Sequence, residues 1–315
     1  MTTSRRLPWV DVSTTTQSVI LQNEINRFDP LRQFLEGEGD ARHLLQPERL
    51  TKRLTILDKL DAIVGVLESP DLNTPSDPEL ILRARLLRCS LEAANETLYE
   101  AAHAEIAVRG NSPAFDRWLT ELTSDEERPH PGLSFDLLDE IVSGVLQLRG
   151  PGEAGSLPSP EMTAYQPTPV RHILDLISAC RLSSDDVLVD LGSGLGHVPL
   201  LVSILAGICT IGVEVQPELA ASAQETAQRL RLSRVQFVPE DARTTDISRG
   251  TVFYIFTPFT GSILTDVRDR LYRQSQSKQI RICALGPCTR VLQSQSWLTA
   301  SQQSDTERIA IFRSR

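Results

Sequence analysis

Apolar residues recur at every third or fourth position from Ser13 to about Leu148, without strand-like alternation. This spacing is typical of helices that bury one face. Two long stripes consist of Leu50, Leu54, Leu57, Leu60, Val64 and Leu67, then Leu80, Leu87, Leu91, Ala94, Leu98 and Ala102. Proline-containing breaks separate these helices and precede a shorter one that carries Trp118. The pattern predicts an all-α N-terminal domain over residues 1–130.

Residues 131–164 connect this helical region to the C-terminal half of the chain. One more helix is predicted over Ser134–Leu148, and prolines and glycines then become frequent: Pro151, Gly152, Gly155, Pro158, Pro160, Pro167 and Pro169. This density of proline cannot continue a helix or lie inside a sheet. We predict a connecting helix followed by a Pro/Gly-rich linker.

Beyond the linker, short apolar runs alternate with amphipathic segments. The predicted strands are Val187–Leu191, Cys209–Val215, Val235–Val238, Val252–Phe256, Ile280–Leu285, Trp297–Ala300 and Ile309–Phe312. Repeated βα units specify a parallel sheet that places ligands at the carboxyl ends of its strands. We therefore predict an α/β fold over residues 165–315: a Rossmann-like, mostly parallel seven-stranded sheet with a C-terminal antiparallel hairpin.

The first predicted strand carries Asp190 near its end and leads into the alternating glycines Gly192, Gly194 and Gly196. Glycines permit a tight strand-to-helix turn and let a ligand lie against bare backbone amides. Glu214 ends the next strand, where a carboxylate can accept hydrogen bonds from both hydroxyls of a ribose. The pattern predicts a nucleoside site.

Asp190 and the glycine spacing distinguish between nucleotide ligands. In the dinucleotide fingerprint GxGxxG the third glycine comes one residue later, and no carboxylate approaches the anionic pyrophosphate. Asp190 would repel a pyrophosphate, but it suits S-adenosylmethionine, whose sulfonium and ammonium groups are both positive. Glu240-Asp241 follow the third strand, where a carboxylate can accept a hydrogen bond from an adenine amino group. Acids at three successive strand ends favour S-adenosyl-L-methionine as the cofactor.

These motifs resemble those of class I S-adenosylmethionine-dependent methyltransferases, and among them the Dot1-like family. Tyr165-Gln-Pro-Thr168 is similar to that family's Tyr-x-x-Thr loop, and Asp190-Leu-Gly-Ser-Gly-Leu-Gly and Gly212-Val-Glu214 are similar to its cofactor motifs. The resemblance covers about residues 165–290. It implies that Tyr165 and Thr168 flank the methionine moiety and that Asp190, Gly192 and Gly194 bind the backbone of that moiety. It also implies that Glu214 binds the ribose and Asp241 the adenine. The full predicted cofactor-binding set is Tyr165, Thr168, Asp190, Gly192, Ser193, Gly194, Gly196, Glu214, Val215, Glu240, Asp241, Ala242 and Thr257.

The chain departs from the Dot1-like pattern after the fourth strand. The family has an Asn-rich aromatic segment beside the transferred methyl, and this chain has Phe256-Thr-Pro-Phe-Thr-Gly261, with Pro258 where Asn is expected. The methyl acceptor is therefore left open, as a protein side chain or a small molecule. The candidates for a catalytic role are Tyr165, His197 and Thr257. We expect His172 at the surface or between domains, Tyr254 in the core, and Cys288 as a passive wall of the pocket.

Composition restricts the partners. The net charge is −9, and residues 1–150 hold 16 Lys and Arg against 25 Asp and Glu. Because no basic run or basic excess is present, binding to nucleic acid is disfavoured.

The five cysteines form no CxxC and the five histidines show no ligand spacing, so no metal site is expected. No apolar stretch resembles a signal peptide or membrane span, so we predict a cytoplasmic protein. The helical domain could also mediate a homo-oligomer.

Two alternatives to an active methyltransferase stay open. A protein that keeps the fold as a nucleoside-binding module or scaffold would bind the cofactor without transferring a methyl, or would not bind it. An NAD-dependent oxidoreductase is disfavoured by the glycine spacing and by Asp190.

Overall fold

The computed structural model describes residues 35, 41–67, 78–124, 133–148, 150, 159–301 and 305–315. Within the predicted linker, residues 151–158 lie outside the described residues, as does the start of the chain. The chain divides into two compact units, Met1–Thr97 and Leu98–Arg315.

The described part of the first unit is helical, as the apolar stripes predict. Two short 3₁₀ turns, Ala41–Leu45 and Pro47–Arg49, lead into helix α1 (Leu50–Leu67), and helix α2 spans Pro78–Arg109. Arg53 lies fully buried on the apolar face of α1, where its guanidinium donates to Asn95 Oδ1 at 2.6 Å and to the Leu44 carbonyl at 2.7 Å. These hydrogen bonds offset the cost of burying a charge among leucines.

In the second unit, the end of α2 packs with helices α3 (Pro113–Thr123) and α4 (Leu137–Leu146). Ser112 caps α3 through a hydrogen bond from the Phe115 N–H at 3.3 Å. Asp136 and Asp139 form a capping box at the start of α4. The Tyr99 ring fits against Gly144, where a side chain on that residue would overlap it.

The seven predicted strands form one sheet in the order β3-β2-β1-β4-β5-β7-β6. The strands are β1 (Val187–Leu191), β2 (Cys209–Val213), β3 (Val235–Val238), β4 (Val252–Ile255), β5 (Arg281–Ala284), β6 (Leu298–Ala300) and β7 (Ala310–Ser314). β1 to β5 run parallel, and β7 pairs antiparallel with both β5 and β6. The predicted fold class, including the C-terminal hairpin, is confirmed.

Five helices accompany the strands: α5 (Val170–Cys180), α6 (His197–Ala206), α7 (Pro217–Arg229), α8 (Gly261–Ser275) and α9 (Cys288–Gln293). The expectation that His172 lies at the surface is wrong. It is fully buried, because α5 packs against both α4 and α6. None of the helices in the described ranges is long and apolar enough to span a membrane.

Candidate functional site

The sheet order brings the carboxyl ends of β3, β2, β1, β4 and β5 side by side along one edge. A cavity of about 370 Å³ lies across these ends. Its walls come from the loops after the strands, from the start of α6 and from residues 162–168, which precede α5. A crevice at the carboxyl ends of parallel strands is the usual ligand position of open α/β sheets.

The glycine loop between β1 and α6 needs glycine for its backbone and for close packing. Gly192, Gly194 and Gly196 have φ values of +97°, +53° and +83°, in the left-handed region that disfavours side chains. A Cβ on Gly194 would overlap the Tyr165 ring, and one on Gly192 would overlap Pro258. Gly194 and Gly196 do not line the cavity themselves; they shape the turn that bounds it.

Glu214, directly after β2, is fixed in orientation by backbone donors. Its Oε2 accepts a hydrogen bond from the Gly194 N–H at 2.8 Å, and its Oε1 accepts one from the Gln216 N–H at 2.9 Å. Burial raises the pKa of this carboxyl, and the backbone hydrogen bonds partly oppose the rise. Since each carboxylate oxygen can accept a second hydrogen bond, Glu214 can still receive two hydroxyls from the cavity side.

Asp190, at the end of β1, is a buried carboxyl that lacks a partner. Only 3% of the residue is exposed, it lines the cavity, and no hydrogen bond to its carboxyl is formed within the part of the chain that the structure describes. Burial, and secondarily the charge of Glu214, hold its pKa well above the usual value. A buried carboxylate is costly without a donor or cation, so this position favours a positively charged ligand group.

The hydroxyl of Ser193 is a second buried polar group that has no hydrogen-bond partner among the described residues. Ser193 lines the cavity beside Asp190. An unsatisfied hydroxyl next to an unpaired carboxyl fits a ligand that brings hydrogen-bond donors.

Of the two acids after β3, Glu240 and Asp241, the second forms an ion pair. Asp241 forms a two-pronged ion pair with Arg243, in which Nη2 lies 2.7 Å from Oδ2 and Nε 3.1 Å from Oδ1. The hydrogen bonds from Arg243 lower the pKa of the Asp241 carboxyl. The sequence contains no local sign of this pairing. Glu240 and Ala242 line the cavity on either side of Asp241.

Residues 159–168, which we name the strap, cross the cavity and are joined to the loop after β4. The Thr163 N–H donates to the Pro258 carbonyl at 2.9 Å, and Met162 pairs with Phe259 in an antiparallel bridge. The carboxylate of Glu161 accepts hydrogen bonds from the N–H groups of Ser262 and Ile263, so that it caps α8.

The C-terminal part of the strap is joined at two further points, to the start of α6 and to β4. The Tyr165 hydroxyl lies 3.2 Å from His197 Nδ1, and the Thr168 hydroxyl lies 3.0 Å from the buried hydroxyl of Tyr254. Burial lowers the pKa of His197 to about 4, so its ring is neutral at neutral pH. Burial also raises the pKa of Tyr165, which keeps that hydroxyl protonated.

Thr257, the third catalytic candidate, has a backbone φ of +41°, which is rare for a β-branched residue. Its hydroxyl donates to the Leu285 carbonyl at 3.1 Å and accepts from the Cys288 N–H at 3.3 Å. The hydroxyl thus joins the end of β4 to the start of α9. Both of these hydrogen bonds are to backbone groups, so within the described residues the hydroxyl has no side-chain base beside it that would take its proton.

All predicted site residues except Gly194 and Gly196 line the one cavity at the strand ends. The expectation that Cys288 forms a wall of the pocket is wrong. Cys288 begins α9, its thiol lies against the carbonyls of Ile255 and Leu285, and it does not line the cavity. The cavity also contains residues without a motif of their own: Leu133, Met162, Gln216, Leu219, Ile263 and Pro287. Only their neighbours in sequence could have indicated them, since each lies close to a predicted strand end, helix start or loop.

Comparison with protein families matches residues 161–252 to the family described as "Histone methylation protein DOT1". The match begins in the strap and ends at the start of β4, which is a little under a third of the chain. No curated protein matches the chain.

Several solved structures resemble the chain. An RNA methyltransferase from Salinibacter ruber, bound to S-adenosyl-L-homocysteine, is 24% identical with a TM-score of 0.39, covering 47% of this chain and 92% of that one. The N-terminal domain of human METTL16, also with that ligand, is 19% identical with a TM-score of 0.33, covering 46% and 68%. A mutant of MtNAS bound to S-adenosylmethionine is 12% identical with a TM-score of 0.38, covering 85% and 95%.

The sheet, its crevice and the family match resemble those of class I S-adenosylmethionine-dependent methyltransferases. Within this class the chain resembles the Dot1 family over the strap, the glycine loop and the first three strands. Asp190 and the Ser193 hydroxyl, which have no hydrogen-bond partner among the described residues, and the glycine loop fit S-adenosylmethionine as a ligand.

Proposed function

We propose that this protein transfers the methyl group of S-adenosylmethionine to an acceptor that is either a protein side chain or a small molecule. The observation that carries the proposal is Asp190, a carboxyl that lines the cavity, is buried and has no partner among the described residues. A cationic ligand group compensates for this burial, whereas a pyrophosphate makes it worse. This argument favours a sulfonium nucleoside over NAD.

The proposed cofactor contacts are distributed along the strand ends. Asp190, Ser193 and the glycine loop would hold the cationic methionine end, with Tyr165 and Thr168 of the strap beside it. Glu214 and Val215 would bind the ribose, since the backbone hydrogen bonds of Glu214 leave both of its oxygens able to accept. Glu240, Asp241 and Ala242 would surround the adenine, with Asp241 shared between this ring and Arg243.

S-adenosylmethionine supplies an already activated methyl group, so the main task of the protein is to align the acceptor and exclude water. The strap serves both purposes, because Thr163, Tyr165 and Thr168 are each hydrogen-bonded to groups across the crevice. The neutral ring of His197 holds the Tyr165 hydroxyl at 3.2 Å. We assign Tyr165 and His197 to positioning.

Calorimetric titration tests the proposal. The protein should bind S-adenosylmethionine and S-adenosylhomocysteine and should not bind NAD. Asp190→Ala should weaken S-adenosylmethionine binding at least tenfold, whereas Asp185→Ala, which removes an exposed carboxylate five residues away, should leave it unchanged. Equal binding by Asp190→Ala and wild type would refute the assignment.

Methyl transfer is tested separately with labelled cofactor and a panel of acceptors. Tight cofactor binding without transfer to any acceptor would favour the alternative of a non-catalytic nucleoside-binding or scaffold protein. The domain bounds, the cytoplasmic location, the absence of a nucleic-acid partner and a homo-oligomer formed through the helical domain stay predictions of the sequence.

A further inference from the structure

Charge is distributed unevenly along the cavity. The four carboxylates of its lining, Asp190, Glu214, Glu240 and Asp241, all lie at the ends of β1, β2 or β3. The other end of the cavity lies beyond β4 and β5 and is covered by the strap; the described residues that line it include no Asp, Glu, Lys or Arg. An uncharged wall holds neither an anion nor an ammonium group by ion pairing.

Aromatic side chains line this uncharged end and its border with the acidic end. Phe256 and Phe259 line the uncharged end, whereas Tyr254 pairs in register with Asp190 and the Tyr165 ring packs against Gly194, so both tyrosines lie at the border. One of the two methionines, Met162, lines the uncharged end as well. A flat ligand gains most from such walls, through ring stacking and sulfur–aromatic contacts.

Two groups of the cavity that could take part in proton transfer, the Thr257 hydroxyl and His197 Nδ1, are already engaged in hydrogen bonds. The Thr257 hydroxyl donates to the Leu285 carbonyl. His197 is neutral, and its Nδ1 faces the Tyr165 hydroxyl. An acceptor that need not lose a proton before transfer suits this arrangement better than a protonated amine does.

We propose that the end of the cavity formed by the strap and the loop after β4 binds an uncharged planar N-heterocycle, a small molecule whose ring nitrogen is the methyl acceptor. This inference rests on the proposed function. The ring nitrogen's lone pair forms the new N–C bond, the S–C bonding pair stays on sulfur, and the positive charge passes from sulfur to the ring. No proton leaves.

Quinoline serves as the probe, and its binding is measured by calorimetry on full-length protein saturated with S-adenosylhomocysteine. Quinoline should bind, and quinoline-2-carboxylate and hexylamine should bind at least tenfold more weakly. Phe256→Leu keeps an apolar side chain but removes a ring, and should weaken quinoline binding about three- to tenfold. Phe135→Leu, at an exposed ring outside the cavity, should have no effect.

The outcomes separate this inference from the proposed function. Binding of S-adenosylhomocysteine without binding of quinoline overturns only the heterocycle assignment, as does equal binding of hexylamine or of a single-stranded RNA. Loss of quinoline affinity in both Phe variants would also overturn it. Failure to bind S-adenosylhomocysteine at all would instead contradict the proposed function.

Discussion

The carboxylate of Asp139 on α4 accepts a hydrogen bond at 2.8 Å from the backbone N–H of Val170, the first residue of α5. Its second oxygen accepts from the Asp136 N–H at 2.8 Å, and Arg171 donates to Asp136 at 2.9 Å. The Asp139 side chain thus accepts hydrogen bonds from backbone N–H groups at the N-terminal ends of both α4 and α5. Thr168, which joins the strap to Tyr254, lies only two residues before Val170.

Replacing Asp139 should therefore affect both stability and the site. Asp139→Ala removes acceptors for two backbone donors and should lower the free energy of unfolding by about 1–3 kcal/mol. It should also weaken S-adenosylhomocysteine binding, because the start of α5, two residues after Thr168, loses its hydrogen bond to α4. Asp139→Asn, which retains one acceptor, should recover part of the stability and part of the S-adenosylhomocysteine affinity. Urea unfolding and calorimetry measure the two effects; unchanged cofactor affinity in Asp139→Ala would restrict the residue to a structural role.

Asp190→Asn should separate stability from binding. Because the folded pKa of Asp190 is raised, the folded state binds more protons than the unfolded state above pH ~4, and stability falls as pH rises from there through the raised pKa. The Asn variant has no carboxyl to ionise at this position, so its stability should not fall with pH for this reason. It should be at least as stable as wild type near neutral pH, yet bind S-adenosylmethionine more weakly. Unfolding curves at several pH values test this; an Asn variant that is destabilised at high pH would contradict it.

Cofactor binding should release protons in the same pH range. A cationic ligand favours the ionised form of Asp190, so S-adenosylmethionine affinity should increase as pH rises from ~4 to the raised pKa. Calorimetry in buffers of different ionisation enthalpy measures the released fraction. S-adenosylhomocysteine lacks the sulfonium charge and should release less. Equal proton release by both ligands would show that the sulfonium does not influence Asp190.

Gly194→Ala and Gly207→Ala form a matched pair. Both residues have positive φ, +53° and +67°, so both variants incur backbone strain of about 1 kcal/mol. A Cβ on Gly207 has nothing within 4 Å, whereas one on Gly194 overlaps the Tyr165 ring. Only Gly194→Ala should displace the strap and lower cofactor affinity. Similar affinities in the two variants would indicate that the Tyr165 contact is dispensable.

The pair of Asp186 and Arg281 should determine part of the acid sensitivity. Burial opposes ionisation of Asp186, but hydrogen bonds from Arg281, Ser183 and Thr251 outweigh it and hold the pKa at about 2. This lowered pKa contributes roughly 2 kcal/mol of stability above pH ~4, which is lost as pH falls towards 2. Asp186→Asn should flatten stability against pH between those values, and the exposed Asp185→Asn should not.

Local patterns were sufficient for the strands and the strand-end acids. The structure has β1 and β3 with the predicted bounds, because each is a short, mostly apolar run that follows a charged residue and ends before a glycine or a proline. Helix α9 was missed, since six residues from Cys288 to Gln293 are too few to show a period.

The side-chain partners could not be predicted in this way. Glu161 caps a helix that begins 100 residues later, and Arg53 lies within an apolar stripe although it is charged. Arg243 forms an ion pair with Asp241, only two residues away. Because Arg243 is exposed, the sequence does not indicate that it pairs with this acid and not with another. Such contacts depend on how distant segments meet, which hydrophobic periodicity does not encode.

The four acids of the crevice also have a consequence for competition inside a cell. Adenosine is common to ATP, coenzyme A and NAD, which would reach the same purine and sugar contacts. A crevice that carries several negative charges repels their phosphates over distances comparable to the screening length. The same carboxylates that would attract a sulfonium would thus disfavour the abundant adenylates through their charge alone.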